Sequence, residues 1–287
     1  MKAAVLGSPI AHSLSPVLHT AAYAALGLDD WSYAAIECEE DGLPGLLDGL
    51  GPGWAGLSLT MPLKRAVLPL LDEIDSLAAD VGGANTIVLR DGRRRGYNTD
   101  VGGMVDALAG AGVTGAGVVT PARTLIIGAG ATACSALAAL RHIGIRAVDV
   151  AVRDLARAGH LLATARRLGV QATPHDLAAA GHLPAAGLVI CAVPPRAADS
   201  LVPRLAGKHG APPFVFDVAY EPWPTRLAAA ASAEGSAVIG GFELLLHQAA
   251  RQVELMTGHQ PPLHAMRAAV LAELAARAGG ATRRAAV

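Results

Sequence analysis

The 287-residue sequence predicts an α/β protein of two units, the second of nucleotide-binding type, followed by a helical tail. Apolar runs with strand composition alternate with helical patterns along most of the chain, which is typical of parallel sheets with crossover helices. A glycine-rich turn at residue 128 follows one of these strands and opens a helix. The glycine-rich, weakly polar segment 110–118 separates the two units.

The first unit is predicted to alternate strands and helices and to include a hairpin. Ser15 and Pro16 are typical of a helix N-cap and a first helical residue, and this helix continues to about Leu26. Asp91-Gly92, the dipeptide most typical of a two-residue hairpin, lies between two strand-like runs. The predicted strands span 2–7, 31–38, 54–60, 84–89 and 93–97, and the predicted helices span 15–26, 43–50, 63–71 and 101–109.

The second unit restarts with a β-branched strand and continues with the rhythm of a parallel sheet. A glycine-rich turn and a helix to about residue 143 follow the first strand, and a further helix spans 155–168. The predicted strands span 124–127, 147–152, 188–192 and 214–218. The tail is helical by pattern over 243–257 and 263–278.

Composition excludes several classes of protein. Hydrophobic residues make up 52% and charged residues 16% of the chain, which indicates a globular protein and not a disordered one. A net charge of -1 argues against a broad surface for nucleic acid or for an acidic membrane. The one tight basic run, Arg93 to Arg95, lies in the predicted hairpin, where a solvated strand edge is the better interpretation.

The cysteines and histidines show no metal-binding or redox spacing. Cys38, Cys134 and Cys191 are widely separated in apolar surroundings, which suits buried thiols in a reducing compartment. The chain enters a strand at its N-terminus without a secretory signal, and its longest apolar run is interrupted by a glycine-rich turn. We therefore expect a cytoplasmic protein that contains no metal and binds neither membrane nor nucleic acid.

The glycine-rich turn fits the pattern GxGxxA. Its residues are Gly128, Ala129, Gly130, Ala131, Thr132 and Ala133. Gly128 permits the tight turn, Gly130 lets the backbone approach a pyrophosphate at the helix N-terminus, and Ala133 allows close packing of helix on strand. Such a pattern arises by chance in a chain with 33 glycines. The strand before it, the helix after it and the next strand support a dinucleotide site.

The residues after the next strand bear on the choice of cofactor. Arg153 and Arg157 are four residues apart and suit a clamp on the 2′-phosphate of NADP, or are an ordinary pair on a helix surface. Asp154 either caps the helix or binds the free ribose of NAD. We favour NADP.

A lysine and an aspartate indicate acid-base chemistry. Lys64 is one of three lysines in a chain with 23 lysines and arginines in all, and it follows a Thr-x-Pro turn. Lysine can be tuned to transfer a proton, whereas arginine stays charged. With Asp100 it makes a plausible proton-transfer pair for a hydroxyl or carbonyl substrate. Taken alone, a surface lysine and an N-cap aspartate that never meet are the better interpretation.

Six motifs in order, over nearly the whole chain, resemble the shikimate dehydrogenase family, including the quinate/shikimate dehydrogenases. They are the Ser-x-Ser segment Gly7–Pro16, Ser58–Lys64 with Leu59 in place of the family's valine, Gly83–Thr86, Gly96–Asp100, Asp217–Pro222 and Gly240–Ala249. Two departures concern the cofactor side: Val152-Arg153-Asp154 replaces Asn-Arg-Thr, and Cys191–Pro194 replaces Asn-Ala-Thr-Ser. Met256-Thr257-Gly258 replaces Trp-Thr-Gly, a change of packing.

The resemblance implies reversible reduction of 3-dehydroshikimate to shikimate by NADPH, with Lys64 and Asp100 as catalytic residues. It implies that Ser13 and Ser15 hold the substrate carboxylate. The other substrate-binding residues would be Thr60, Lys64, Asn85, Asp100, Tyr220 and Gln248. The cofactor would be bound by the six residues of the glycine-rich turn together with Arg153, Arg157, Val218 and Gly240. We expect His12 to structure its loop rather than to act in catalysis.

The same resemblance sets the expected domain organisation. Because Gln248 must reach the site of Ser13 and Lys64, residues 240–287 should complete a substrate domain formed by 1–102, and 103–239 should form a Rossmann-type NADP domain. Monomer and homodimer both remain open. Three alternatives also remain: a dual-specificity quinate/shikimate enzyme that prefers NAD, a regulator that binds NADP without catalysis, and an amino-acid or folate dehydrogenase of similar plan. The last leaves the Ser13/Ser15 pair unexplained.

Overall fold

The computed structural model describes residues 1–114, 123–177, 183–205 and 212–285. The chain forms two compact units: Met1–Ala78 with Gly83–Thr99 and Leu246–Val287, and Ala79–Gly82 with Asp100–Leu245. Of the segment 110–118 predicted as a boundary, residues 115–118 lie outside the described residues. Within the described residues, each unit is built on one six-stranded sheet.

The first unit has a mixed sheet in the order β2-β1-β3-β5-β6-β4. Its strands are β1 (Lys2–Gly7), β2 (Ser32–Glu37), β3 (Trp54–Leu59), β4 (Glu73–Ile74), β5 (Thr86–Arg90) and β6 (Arg93–Tyr97). Strand β1 pairs in parallel with β2 and β3, whereas β5 runs antiparallel to β3 and β6. Successive residues of β1 enter different buried clusters, Ala4 and Leu6 on one side and Ala3 and Val5 on the other. The strand is therefore buried on both faces, which explains its unbroken apolar sequence.

The helices of the first unit are α1 (Ser15–Ala25), α2 (Leu43–Asp48), α3 (Leu63–Ala66), the start of α4 (Ser76–Val81), the later part of α10 (Gly241–Thr257) and α11 (Leu263–Ala285). The single helix predicted over 63–71 is α3 followed by a 3₁₀ turn, Leu68–Leu70. The N-cap role predicted for Ser15 is wrong. The cap position is Leu14, and Ser15 is already the first helical residue.

The second unit has a parallel sheet in the order β12-β11-β10-β7-β8-β9. Its strands are β7 (Thr124–Ile127), β8 (Ala147–Val152), β9 (Gln171–Asp176), β10 (Leu188–Cys191), β11 (Phe214–Asp217) and β12 (Ala237–Gly240). Its helices are α5 (Thr99–Gly110), α6 (Ala131–His142), α7 (Gly159–Leu168), α8 (Val202–Leu205), α9 (Arg226–Ala233) and the start of α10. Counted from β7, the strand order is 3-2-1-4-5-6, the Rossmann order, in which ligands bind where the direction reverses, between β7 and β10.

The predicted fold class is confirmed: the protein is α/β, its second unit is of Rossmann type, and its C-terminal helices return to the first unit. In the sheet of the second unit, strands β9 and β12 were not predicted. They form the two edges of the sheet, and β9 is largely polar and contains Pro174, a residue that sheets accept mainly at edges. Across the described ranges, no helix combines the length and the apolar character needed to cross a bilayer.

Candidate active site

Two serines stand at the start of α1 in the first unit. The Ser13 amide donates to the Ile10 carbonyl at 2.9 Å, and the Ser13 hydroxyl oxygen accepts a hydrogen bond of 3.2 Å from the Ser15 amide. Ser15 itself is buried. A helix N-terminus with adjacent hydroxyl donors favours an anion, so this turn is suited to a carboxylate.

The turn that carries Lys64 is anchored on two sides. The Thr60 amide donates to the Leu6 carbonyl at 2.9 Å, and the Thr60 carbonyl accepts from the Leu63 amide at 2.8 Å. The Lys64 carbonyl accepts from the Ala84 amide at 2.8 Å. The Thr60 and Lys64 segment is thus joined to the segment that carries Asn85.

Asn85 connects the remaining motifs of the first unit. Its Nδ2 donates to Thr99 Oγ1 at 2.9 Å and to Gln248 Oε1 at 3.4 Å, and its Oδ1 accepts from the Thr99 amide at 2.8 Å. Asn98 Nδ2 donates to the Gly83 carbonyl at 2.8 Å. Asp100 follows Thr99 in the first turn of α5, is buried, and is counted with the second unit. The structure therefore brings Asn85 and Gln248 into contact although 163 residues separate them.

Sequence reasoning missed a second layer of polar side chains beneath these residues. Tyr33 Oη donates to Ser58 Oγ at 2.6 Å, and Ser58 Oγ donates to Gln252 Oε1 at 2.8 Å. The His19 ring stacks on Tyr33 with a centroid distance of 3.9 Å, and its Nε2 lies 3.3 Å from Gln252 Oε1. Gln252 lies one helical turn after Gln248, and this spacing is the signal that could have found it. His19 and Tyr33 resemble ordinary core residues in the sequence.

Burial governs the ionisation of this layer. It lowers the pKa of His19 to about 3, with the hydrogen bond to Gln252 acting in the opposite direction. Burial also raises the pKa of Tyr33, while hydrogen bonds with Ser58 and Ser15 act against that rise. Both groups are therefore neutral around pH 7, and the layer is a set of neutral hydrogen bonds.

The glycine-rich turn of the second unit has the geometry of a dinucleotide site. Gly128 has a φ of +111°, and a side chain there would meet the Ala192 carbonyl oxygen at 2.7 Å. Gly130 is extended, and a side chain there would meet nothing within 4 Å. Helix α6 begins at Ala131, directly after Gly130, and Ala133 is buried. The first amides of a helix have no partner within the helix, so its start suits a phosphate group.

The residues after β8 lie exposed at its carboxyl end. Arg153 and Arg157 are exposed, and the predicted helix 155–168 opens as a 3₁₀ turn, Leu155–Ala158, before α7. Asp154 Oδ1 accepts a hydrogen bond of 2.9 Å from the Ala156 amide, and Asp154 Oδ2 lies 3.8 Å from Arg157 Nε. Asp154 was predicted either to cap the helix or to bind a ribose, and in this structure it caps the 3₁₀ turn.

The loop after β11 is held by a buried carboxylate. Asp217 accepts from Thr225 Oγ1 at 2.5 Å and from the Ala219 amide at 3.2 Å. Burial raises the pKa of Asp217, and the hydrogen bond from Thr225 is the largest opposing effect. This loop contains Val218 and Tyr220.

Gly240 and Gly241 pack against the same loop. The Trp223 ring lies 3.0 Å from where a side chain on Gly240 would begin, and the Gly241 amide donates to the Ala219 carbonyl at 3.2 Å. The structure thus brings the Val218 segment beside Gly240 within the second unit. Among the residues with described positions, no group of three or more histidine, cysteine, aspartate or glutamate side chains could hold a metal ion.

Known proteins are similar to this chain over nearly its full length. A family model described as shikimate dehydrogenase substrate binding domain matches residues 5–87, and one described as Shikimate 5'-dehydrogenase C-terminal domain matches residues 241–271. The shikimate dehydrogenase (NADP(+)) of Moorella thermoacetica is 35% identical over 96% of this chain and 95% of its own length.

Solved structures are also similar to this chain over nearly its full length. The crystal structure of Mycobacterium tuberculosis shikimate dehydrogenase has a TM-score of 0.85 and 40% identity, covering 94% of this chain and 99% of its own. The Thermus thermophilus enzyme, solved in complex with NADP(H) and shikimate, has a TM-score of 0.78 and 32% identity, covering 94% and 98%. The chain belongs to the shikimate dehydrogenase family.

Proposed function

We propose that this chain catalyses the reversible NADPH-dependent reduction of 3-dehydroshikimate to shikimate, a step of chorismate and aromatic amino acid biosynthesis. One observation carries the proposal. Within the first unit, the segments bearing Thr60 and Lys64, Asn85, Thr99 and Gln248 are joined by direct hydrogen bonds. These side chains offer donors and acceptors suited to a polyhydroxylated acid.

Substrate binding is divided between an anion site and hydroxyl contacts. Ser13 and Ser15 donate to the carboxylate from the start of α1, where the helix dipole adds attraction. The ring hydroxyls are bound by Thr60, Asn85, Asp100, Tyr220 and Gln248. Each such hydrogen bond contributes about 0.5–1.5 kcal/mol, and more when one partner is charged.

The second unit suits the NADP cofactor, whose reduced form, NADPH, supplies the hydride when it is bound. The open space at Gly130 and the start of α6 fit a pyrophosphate, as part of the site formed by Gly128, Ala129, Gly130, Ala131, Thr132 and Ala133. Arg153 and Arg157 are exposed and would bind the 2′-phosphate. Tyr220 and Gly240 would border the nicotinamide, and Val218 would also contact the cofactor. The Asp154 carboxylate caps its own turn. Because this contact competes with binding of the free ribose hydroxyls of NAD, it supports NADP as the cofactor.

Lys64 supplies the proton. An ammonium beside the carbonyl oxygen stabilises the developing alkoxide more than the neutral ketone, so it lowers the barrier and not only the energy of binding. Asp100 orients Lys64 and shares the proton with it. His12 is exposed and belongs to the loop that carries Ser13, so its role is to shape that loop.

The proposal also covers the roles of the two domains, the oligomeric state and the cellular compartment. Residues 1–102 with 240–287 act as the substrate domain, and 103–239 act as the NADP domain. The enzyme works as a monomer or homodimer on small molecules. It works in the cytoplasm, which the three buried free cysteines support because reducing compartments preserve thiols.

A matrix of initial rates tests the function. The purified chain is assayed with shikimate or quinate, each with NADP or NAD. We expect the highest kcat/KM for shikimate with NADP. A preference for quinate and NAD would replace the proposal with the dual-specificity enzyme. Tight NADPH binding without turnover of either acid would identify a regulator.

A further inference from the structure

A buried relay of side chains underlies the substrate-binding residues of the first unit. We use the term Gln252 relay for His19, Tyr33, Ser58, Thr86 and Gln252, each no more than 8% exposed. These residues come from α1, β2, β3, β5 and α10. The proposed chemistry uses none of them, so their hydrogen bonds call for a separate explanation.

The orientation of the Gln252 amide follows from a single neighbour. Its Nε2 lies 3.2 Å from the Asn85 carbonyl oxygen, which can only accept, and 3.0 Å from Thr86 Oγ1. A flipped amide would place two acceptors against each other. The Oε1 end therefore faces Ser58 and His19 and accepts from both, which fixes His19 as the tautomer that carries its proton on Nε2.

This orientation sets the order of protons towards Asn85. Thr86 accepts from Gln252 Nε2, so its own proton is directed to Asn85 Oδ1 at 2.9 Å. Asn85 Oδ1 also accepts from the Thr99 amide, so it is the acceptor end, and Nδ2 donates to Gln248 Oε1. Gln248 consequently turns its Nε2 donor away from Asn85.

The same orientation acts towards Tyr33. Ser58 gives its proton to Gln252 and accepts one from Tyr33. The single proton of Tyr33 is therefore committed to Ser58. One glutamine thus joins strands β2 and β3 to the segment that carries Asn85.

We propose that Gln252 is a positioning residue that, through Thr86 and the Asn85 carbonyl, holds Asn85 and its partner Gln248 in place for the shikimate-type substrate, an inference that rests on the proposed function. Small displacements of positioned groups cost up to about 100-fold in rate. Gln252→Met keeps the size and removes both amide ends. We expect this variant to lower kcat/KM for shikimate by about 10- to 100-fold. Its KM for NADP should be unchanged, because the cofactor residues lie in the other unit.

Gln252→Glu provides a pH readout that a merely structural role would not give. Burial raises the pKa of a carboxyl at this position. Above that pKa the charged group cannot donate to Asn85 or Thr86, and below it the neutral acid can donate once. The ratio of kcat/KM between variant and wild type should therefore rise as pH falls. The titratable side chains that contact the relay glutamine or its partner Ser58 are His19 and Tyr33, both neutral near pH 7. Gln260→Glu, at an exposed position, controls for added charge and should give a flat ratio.

A hydroxyl swap tests the relay without touching Gln252. Thr86→Val removes the link to Asn85 and should raise the KM for shikimate, whereas Thr86→Ser keeps the hydroxyl and should restore it. If the Gln252 variants misfold, the two Thr86 variants test the proposal in their place. The proposal is overturned if the folded variants keep the wild-type kcat/KM for shikimate, if the KM for NADP rises in parallel, or if the pH ratio is flat. Absence of wild-type turnover with shikimate would instead refute the proposed function, and this inference with it.

Discussion

The carbonyl oxygen of Lys64 accepts a 2.8 Å hydrogen bond from the Ala84 amide. This contact ties α3 to the segment that leads into Asn85, and Gly83 lies so close that an added side chain would be 3.3 Å from the same oxygen. The backbone of Lys64 is therefore held in a fixed register with a substrate-binding residue. A proton donor benefits from such placement, since its contribution depends on reaching the developing alkoxide at hydrogen-bond distance.

The two glycines of the cofactor turn should separate folding from binding. Gly128→Ala places a side chain against the Ala192 carbonyl at a positive φ, so it should destabilise the protein by more than about 1 kcal/mol. Gly130→Ala fits the extended backbone and meets no atom, so its unfolding free energy should stay within about 0.5 kcal/mol of wild type while NADPH affinity falls. Urea unfolding and fluorescence titration measure the two quantities. Wild-type NADPH affinity in Gly130→Ala would remove the turn from the binding site.

Arg153 should discriminate between the cofactors. Arg153→Gln removes a charge-assisted contact to a 2′-phosphate, which contributes about 1.5–3 kcal/mol. We expect the dissociation constant for NADP to rise accordingly, roughly 10- to 150-fold, and that for NAD to change little. Arg146→Gln, exposed at the opposite end of β8, is the matched control and should leave both constants unchanged. Equal losses for NADP and NAD would make Arg153 a structural residue.

His19 should make stability depend on pH. Its folded pKa of about 3 lies below the ordinary 6.5, so the unfolded chain takes up a proton first as pH falls. Stability is fully present above pH 6.5 and is lost towards pH 3, at about 1.4 kcal/mol per pH unit. Between neutrality and about pH 5, wild type should lose about 2 kcal/mol more than His19→Phe, which keeps the stacking but does not titrate. Parallel losses in urea unfolding of the two proteins would show that His19 is not buried in this way.

The sequence predicted the bounds of β1, β6, β7 and β8 correctly, and for β6 the signal was the Asp91-Gly92 turn rather than burial. The bounds of β7 and β8 match the prediction because their apolar residues are buried and are bounded by polar residues or glycine. Edge strand β9 was not predicted because its half-exposed polar residues give no periodic hydrophobic signal. Ser15 was misplaced by one position because the local pattern of serine and proline does not determine where a helix begins.

The candidate site likewise combines residues that the sequence predicted with residues that it did not. Motif order placed Asn85 and Gln248 together by resemblance, and the structure supplies the direct contact between them. Tyr33 and His19 were missed because an aromatic ring and an imidazole in apolar segments are indistinguishable from core until their partners are known. Long-range contacts of this kind are a property of the tertiary fold and leave no local pattern.

Steady-state kinetics of Lys64→Ala with shikimate and NADP test the central proposal most directly. General acid-base groups contribute about 10²–10⁴-fold, so kcat should fall by that factor with little rise in KM, and Asp100→Asn should also lower kcat. Lys2→Ala, which removes an exposed lysine of β1, should retain wild-type rates. Circular dichroism and NADPH binding confirm that the variants are folded. A folded Lys64→Ala protein with near-normal kcat would contradict the role of Lys64 as proton donor.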